Sequence, residues 1–123
     1  SPDITIPIIY VSVGHQGISP TDAERLLVRP IEQELRSIEG VKEMSSVASE
    51  GHASVTLEFD AGFDSDQALD DVRENVDRAK SKLPSEIAFE KLDVLDMNAL
   101  RKIVVKHKVK DVYLLAALPP NGR

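Results

Sequence analysis

Apolar positions from Ile4 to Val13 recur with β-branched side chains in near alternation, which predicts a strand. Pro7 cannot donate to a ladder, so it belongs at an edge or at the strand's beginning. Gly14 to Gly17 reads as a turn, and Ser19-Pro20 as a helix start, with Thr21 and Glu24 as an alternative capping box. Ala23, Leu26, Leu27, Ile31, Leu35 and Ile38 follow at helical spacing until Gly40 ends the run. Pro30 lies inside this helix and predicts a kink or break near Leu26–Val28. Val41 to Ser49 and His52 to Phe59 read as two strands joined through Glu50-Gly51. Val55, Leu57 and Phe59 share one face of the second, and Ser54, Thr56 and Glu58 the other. Asp64 and Gln67 open another helix, whose stripe is Leu69, Val72, Val76, Ala79 and Leu83; Pro84 stops it.

The order so far is β-α-β-β-α, one strand short of a ferredoxin-like layer. Ile87 and Phe89 begin a further strand and Leu92 and Val94 continue it in the opposite phase, which calls for a bulge. Asp96 caps a third helix with Met97, Leu100, Ile103 and Val104 inside. Val112 to Leu118 is continuously apolar, the pattern of a strand covered on both faces, and Pro119 to Arg123 reads as a tail. The expected fold is α+β: ferredoxin-like βαββα followed by a βαβ extension, giving a mixed sheet with three helices in one domain, 1–123.

Composition narrows the function classes. The chain has 123 residues and no cysteine, which removes disulfides, thiolate metal sites and cysteine nucleophiles. No run of about 18 apolar residues is present, so no membrane insertion is expected of this chain, and the first residues do not read as a signal peptide. The net charge of −6 argues against a nucleic-acid partner. That charge is uneven: residues 1–86 carry 17 acids and 8 bases, residues 87–123 carry 4 acids and 7 bases. His15, His52 and His107 have no second ligand at i+2 or i+4, so no metal is expected. Asp70-Asp71 diverge on a helix, and Ser45-Ser46 have no base nearby in sequence, so no catalytic residue is assigned and the chain is not expected to be an enzyme. Lys102, Lys106, Lys108 and Lys110 lack interleaved aromatics and read as a solvated face.

Two resemblances divide the chain near Glu86. The stretch Gly17 to Glu24, Arg29-Pro30-Ile31-Glu32, Ile38 to Lys42, Met44-Ser45-Ser46, Gly51 to Phe59, Gly62 with Asp64, and Lys82-Leu83-Pro84 together resemble the porter domain of resistance-nodulation-division efflux transporters. His15-Gln16-Gly17 stands where that family usually has Tyr-Pro-Gly. This resemblance implies a periplasmic subdomain of a proton-driven trimeric pump. Its second helix would line the central pore, with Asp70, Arg73, Glu74 and Asp77 on the polar side. The plain alternative is that these four are solvated charges opposite a buried stripe.

Leu92-Asp93-Val94 with Asp96, the helix from Ala99 to His107, and Val112 to Ala117 resemble extended short-chain dehydrogenases of the epimerase or threonine dehydrogenase kind. That resemblance implies that Asp93, Val94, Leu115, Ala116 and Ala117 lie along an NAD site. The glycine-rich turn that holds the pyrophosphate is missing, and so is a Tyr-x-x-x-Lys pair, so no cofactor is expected to bind. Read together, the resemblances describe a chimera, engineered or a natural fusion, without activity of its own: a porter segment, 1–86, completed by a Rossmann-like βαβ segment, 87–123. The alternatives are a periplasmic subdomain of an efflux pump and a vestigial NAD module. A junction of this kind also predicts a homo-oligomer, through strand edges or domain swapping.

Overall fold

The computed structural model describes residues 4–87 and 91–106, with side chains to residue 103. Strand β1 (Ile8–Gly14) leads through a turn into helix α1, which runs as Pro20–Ala23, Glu24–Val28 and Arg29–Leu35. Strands β2 (Val41–Ser49) and β3 (His52–Phe59) form a hairpin, followed by helix α2 (Ser65–Lys80). A connector leads to β4 (Leu92–Asp96), which passes directly into α3 (Met97–Lys106). The sheet order is β2-β3-β1-β4, and all three pairings are antiparallel. This is the ferredoxin-like order, with β4 as the strand missing from the first part of the chain. The strand expected at 112–118, which would make the sheet mixed, lies outside the described residues.

Register explains the core. Ile9, Val11 and Val13 lie opposite Leu57, Val55 and Ala53, so these six share the face that α1 and α2 cover. Phe59 is fully buried and stacks at 5.1 Å on Phe63. The expected alternation of Val55, Leu57 and Phe59 against Ser54, Thr56 and Glu58 is present, although Ser54 is itself buried.

Three sequence expectations need correction. The first strand starts at Ile8, because Pro7 precedes the ladder and only its carbonyl takes part, accepting from the Phe59 amide at 2.9 Å. The phase slip after Ile87 disappears: Ile87 is buried in the connector, outside the strand. Leu92 and Val94 lie opposite Val13 and Val11 with no bulge in this pairing; Phe89 is outside the described residues. The inner stripe of α3 is also shorter than expected, since Ile103 is 55% exposed while Met97 and Leu100 are half-buried.

The disturbance expected ahead of Pro30 is present, as a wider turn rather than a break. Glu24–Val28 forms a π-helical turn in which the Arg29 amide donates to the Glu24 carbonyl, five residues back. The wider turn gives the proline ring room and needs no amide at position 30. It also shifts the side-chain phase, so that Leu27 and Val28 are both buried although adjacent. Their packing, with that of Ala23, fixes the turn. We therefore expect Pro30→Ala to keep the π-turn and to change stability by no more than about 1 kcal/mol in urea titration.

The helix starts are built as the sequence suggests. Ser19 accepts from the Asp22 amide at 3.1 Å, Asp64 from Asp66 at 3.1 Å, and Asp96 from Asn98 and Ala99 at 2.9 and 3.1 Å. Gln67 does not complete a capping box; it donates to Asp71 Oδ1 at 2.8 Å. The hairpin tip is fastened to the β1–α1 loop by two backbone bonds. The Gly51 amide donates to Ile18 at 2.9 Å, and the Gly51 carbonyl accepts from His15 at 3.0 Å.

Candidate functional site

Helix α2 is oriented by its small and β-branched residues. Ala68, Val72, Val76 and Ala79 are buried against the sheet, and Leu69 is only partly buried beside them. A helix fixed on that side must turn Asp70, Arg73, Glu74 and Asp77 outward, and all four are exposed. Two of the four pair along the same helix: Glu74 Oε1 accepts from Arg78 at 2.8 Å, and Asp77 pairs with Lys80 at 2.9 Å. Exposed pairs of this kind are worth about 0.3–0.5 kcal/mol each, so they set side-chain direction more than stability. Arg78 also donates to Asn75 Oδ1 at 2.9 Å.

The structure joins two sets of residues that the sequence kept apart. Arg73 and Asp77 of α2 line a groove with Val76, Lys80, Leu92, Asp93 and Val94, its volume about 280 Å³. Asp93 and Val94 thus sit on β4 beside the helix face, while Leu115, Ala116 and Ala117 lie outside the described residues. β4 pairs antiparallel with β1, whereas dinucleotide-binding sheets place their ligand at the ends of parallel strands. The groove is walled by charged side chains and a sheet edge, with no glycine turn in it for a pyrophosphate. We expect no saturation transfer from this chain to NAD at millimolar cofactor, measured by NMR.

The remaining polar candidates serve the fold. Ser12, buried on the face opposite α1 and α2, is 3.0 Å from His52 Nε2. Ser46 donates to Glu32 Oε2 at 2.6 Å, tying β2 to α1. Lys82 pairs with Glu34 at 2.9 Å, tying the connector to α1. His15 and His52 stand on different elements, and no group of three metal-ligating side chains forms among the described residues. His107 lies outside them.

One arrangement gives no signal in sequence. His15, on the β1–α1 loop, faces Glu86, on the connector, at 3.5 Å. Lys91 borders the same recess, with Gly14 and Gln16, in a volume of about 300 Å³. A hydrogen bond from its own backbone, followed by the contact with His15, holds the Glu86 carboxyl below its ordinary value.

Comparison with known proteins extends the first resemblance across the seam. The AcrB/AcrD/AcrF family model matches residues 1–112, continuing well past Glu86, and no similarity found supports a dehydrogenase origin for the residues beyond it. The multidrug resistance protein MdtC of Photorhabdus laumondii is 38% identical over 84 residues, which is 68% of this chain and 8% of that protein. The proteins of the same name from Shigella flexneri and Escherichia coli K12 are 37% identical over the same length. The chain thus spans about 8% of the length of these curated relatives.

Proposed function

Because the chain belongs to the AcrB/AcrD/AcrF family, we propose that it is a porter segment of a resistance-nodulation-division multidrug efflux transporter, working on the periplasmic side of the inner membrane. The observation that carries this reading is the family match over 1–112 on a chain whose sheet closes in one ferredoxin-like order, β2-β3-β1-β4. The closure joins β4 to the strands before Glu86, and the family match that continues past Glu86 favours one continuous transporter segment over a chimera. The role is structural and not catalytic. No helix among the described residues is long and apolar enough to cross a membrane, so the energy for transport would come from the larger assembly.

Within that assembly, the outward face of α2 is the part in contact with other copies. Asp70, Arg73, Glu74 and Asp77 would face the axis of a trimer, where three carboxylates and one guanidinium per copy favour water over lipid. Among the described residues β2 and β4 are the outer strands, and their edges offer a second route to association, by strand pairing. Both routes predict a homo-oligomer in the parent transporter and weak association of the chain alone.

The test is replacement in a whole pump. An MdtC-type transporter whose corresponding segment is exchanged for residues 1–112 should keep its assembly and confer drug resistance on a pump-deficient strain. The chain expressed alone should confer none. A replaced pump that assembles and reaches the membrane, yet confers no resistance, would overturn the reading.

A further inference from the structure

The recess around His15 holds a donor and acceptor set that only one protonation state satisfies. His15 Nδ1 lies 3.3 Å from the Gln16 carbonyl, and Nε2 lies 3.5 Å from Glu86 Oε1. Both facing atoms are acceptors. A neutral imidazole carries a single N–H and must leave one nitrogen's lone pair against an oxygen; an imidazolium donates to both. The His15 side chain is only 17% exposed, so water does little to relieve the mismatch, whereas Glu86 is 65% exposed and its other oxygen accepts from Ser85 Oγ at 3.4 Å.

Lys91 supplies the alternative. It borders the recess with Glu86, and its Cβ and Cδ lie 3.7 Å from the point where a Cβ on Gly14 would stand. Among the described residues, His15, Glu86 and Lys91 are the titratable or charged groups lining the recess. One comes from the β1–α1 loop, one from the connector, and one from the residue before β4. Glu86 therefore contacts one basic side chain, His15, and shares the recess with a second of a different kind, Lys91; an imidazole is the side chain that ordinarily changes charge near neutral pH.

We propose that Glu86 is a pH-dependent fastener: in mild acid it ties the α2–β4 connector to the β1–α1 loop through protonated His15, and above neutrality it lets go and turns to Lys91. The element that responds is the connector, 81–87. It is held there by the Ile87 amide on the Pro84 carbonyl, 3.1 Å, and by burial of Leu83 and Ile87. Fastening Glu86 adds a further restraint to these and to the Lys82–Glu34 pair, next to Ile87.

Hydrogen exchange on the full chain reads this out. The protection factor of the Ile87 amide, corrected for intrinsic exchange, should be about two- to fivefold higher at pH 5.5 than at pH 8. It should be flat with pH in His15→Asn and in Glu86→Gln. In His15→Asn the Glu86 carboxyl, followed by carbon NMR, should titrate at a higher pH than in the parent, though not fully at its ordinary value, because its backbone hydrogen bond remains. Lys91→Met should leave the acid-side protection intact and lower only that at pH 8. An equal pH dependence in the parent and in His15→Asn would overturn the proposal. So would a Glu86 titration that His15→Asn does not move.

Discussion

Gly40→Val is expected to cost about 2–5 kcal/mol, enough to leave the chain largely unfolded if its total stability lies at the low end of the usual range of about 5–15. Two independent effects meet at this position. Gly40 has φ +86°, a conformation that side chains on Cβ disfavour by about 1–2 kcal/mol, and a β-branched residue by more. A Cβ there would also stand 2.4 Å from Cδ2 and Cε2 of Phe63. Phe63 cannot retreat without disturbing its contact with fully buried Phe59, and the Gly40 carbonyl is held by the Asp60 amide at 2.8 Å. Urea unfolding separates the two effects. Phe63→Ala added to Gly40→Ala should recover the steric part and leave the backbone part. If the double variant is no more stable than the sum of the singles, the clash is not the cause.

The second large effect concerns the seam. A chain ended after Ile87 is expected to lose on the order of 5 kcal/mol, counting the ladder of β4 on β1 and the apolar cover of Leu92 and Val94. β1 would become an edge, and Val11 and Val13 would lose their neighbours on that side. The tie from Asn98 Nδ2 to the Ile6 carbonyl, 2.6 Å, would go as well. Circular dichroism should show a shallow, non-cooperative melt, and sedimentation should show association through the bare edge of β1. A monomer that melts sharply within a few degrees of the parent would mean that residues beyond Ile87 are an appendage. The fold leads us to expect the opposite, because the strand they supply flanks a central one.

The elements up to α2 were legible because their signals are local. Ser19, Asp64 and Asp96 announce helix starts within three residues, and the alternation across His52 to Phe59 names its own buried face. Pro30 announced a disturbance but not its form. A kink and a π-turn answer the same missing amide, and the choice fell to the packing of Ala23, Leu27 and Val28. The apparent phase slip after Ile87 misled for a related reason. The alternation runs through a segment in which Ile87 is buried without belonging to a strand.

The candidate site was legible only on its helical part. Asp70, Arg73, Glu74 and Asp77 follow from the stripe that opposes them, and the structure exposes all four. The groove that Arg73 and Asp77 share with Asp93 and Val94 depends on β4 pairing beside β1, under α2, a placement no local pattern encodes. The meeting of His15 with Glu86 spans most of the chain and left no trace in composition or spacing.

The doubly bonded tip of the β2–β3 hairpin has a practical consequence. Tight hairpin ends are ordinarily where proteases cut and where inserted tags are accepted. Here the backbone of Gly51 gives its amide to Ile18 and its carbonyl to His15, so the peptide cannot straighten into a protease cleft without unlocking the neighbouring loop. Nicking at Glu50-Gly51 should therefore be slow in the folded chain, and an affinity tag placed there would disturb the β1–α1 loop and the His15 recess with it.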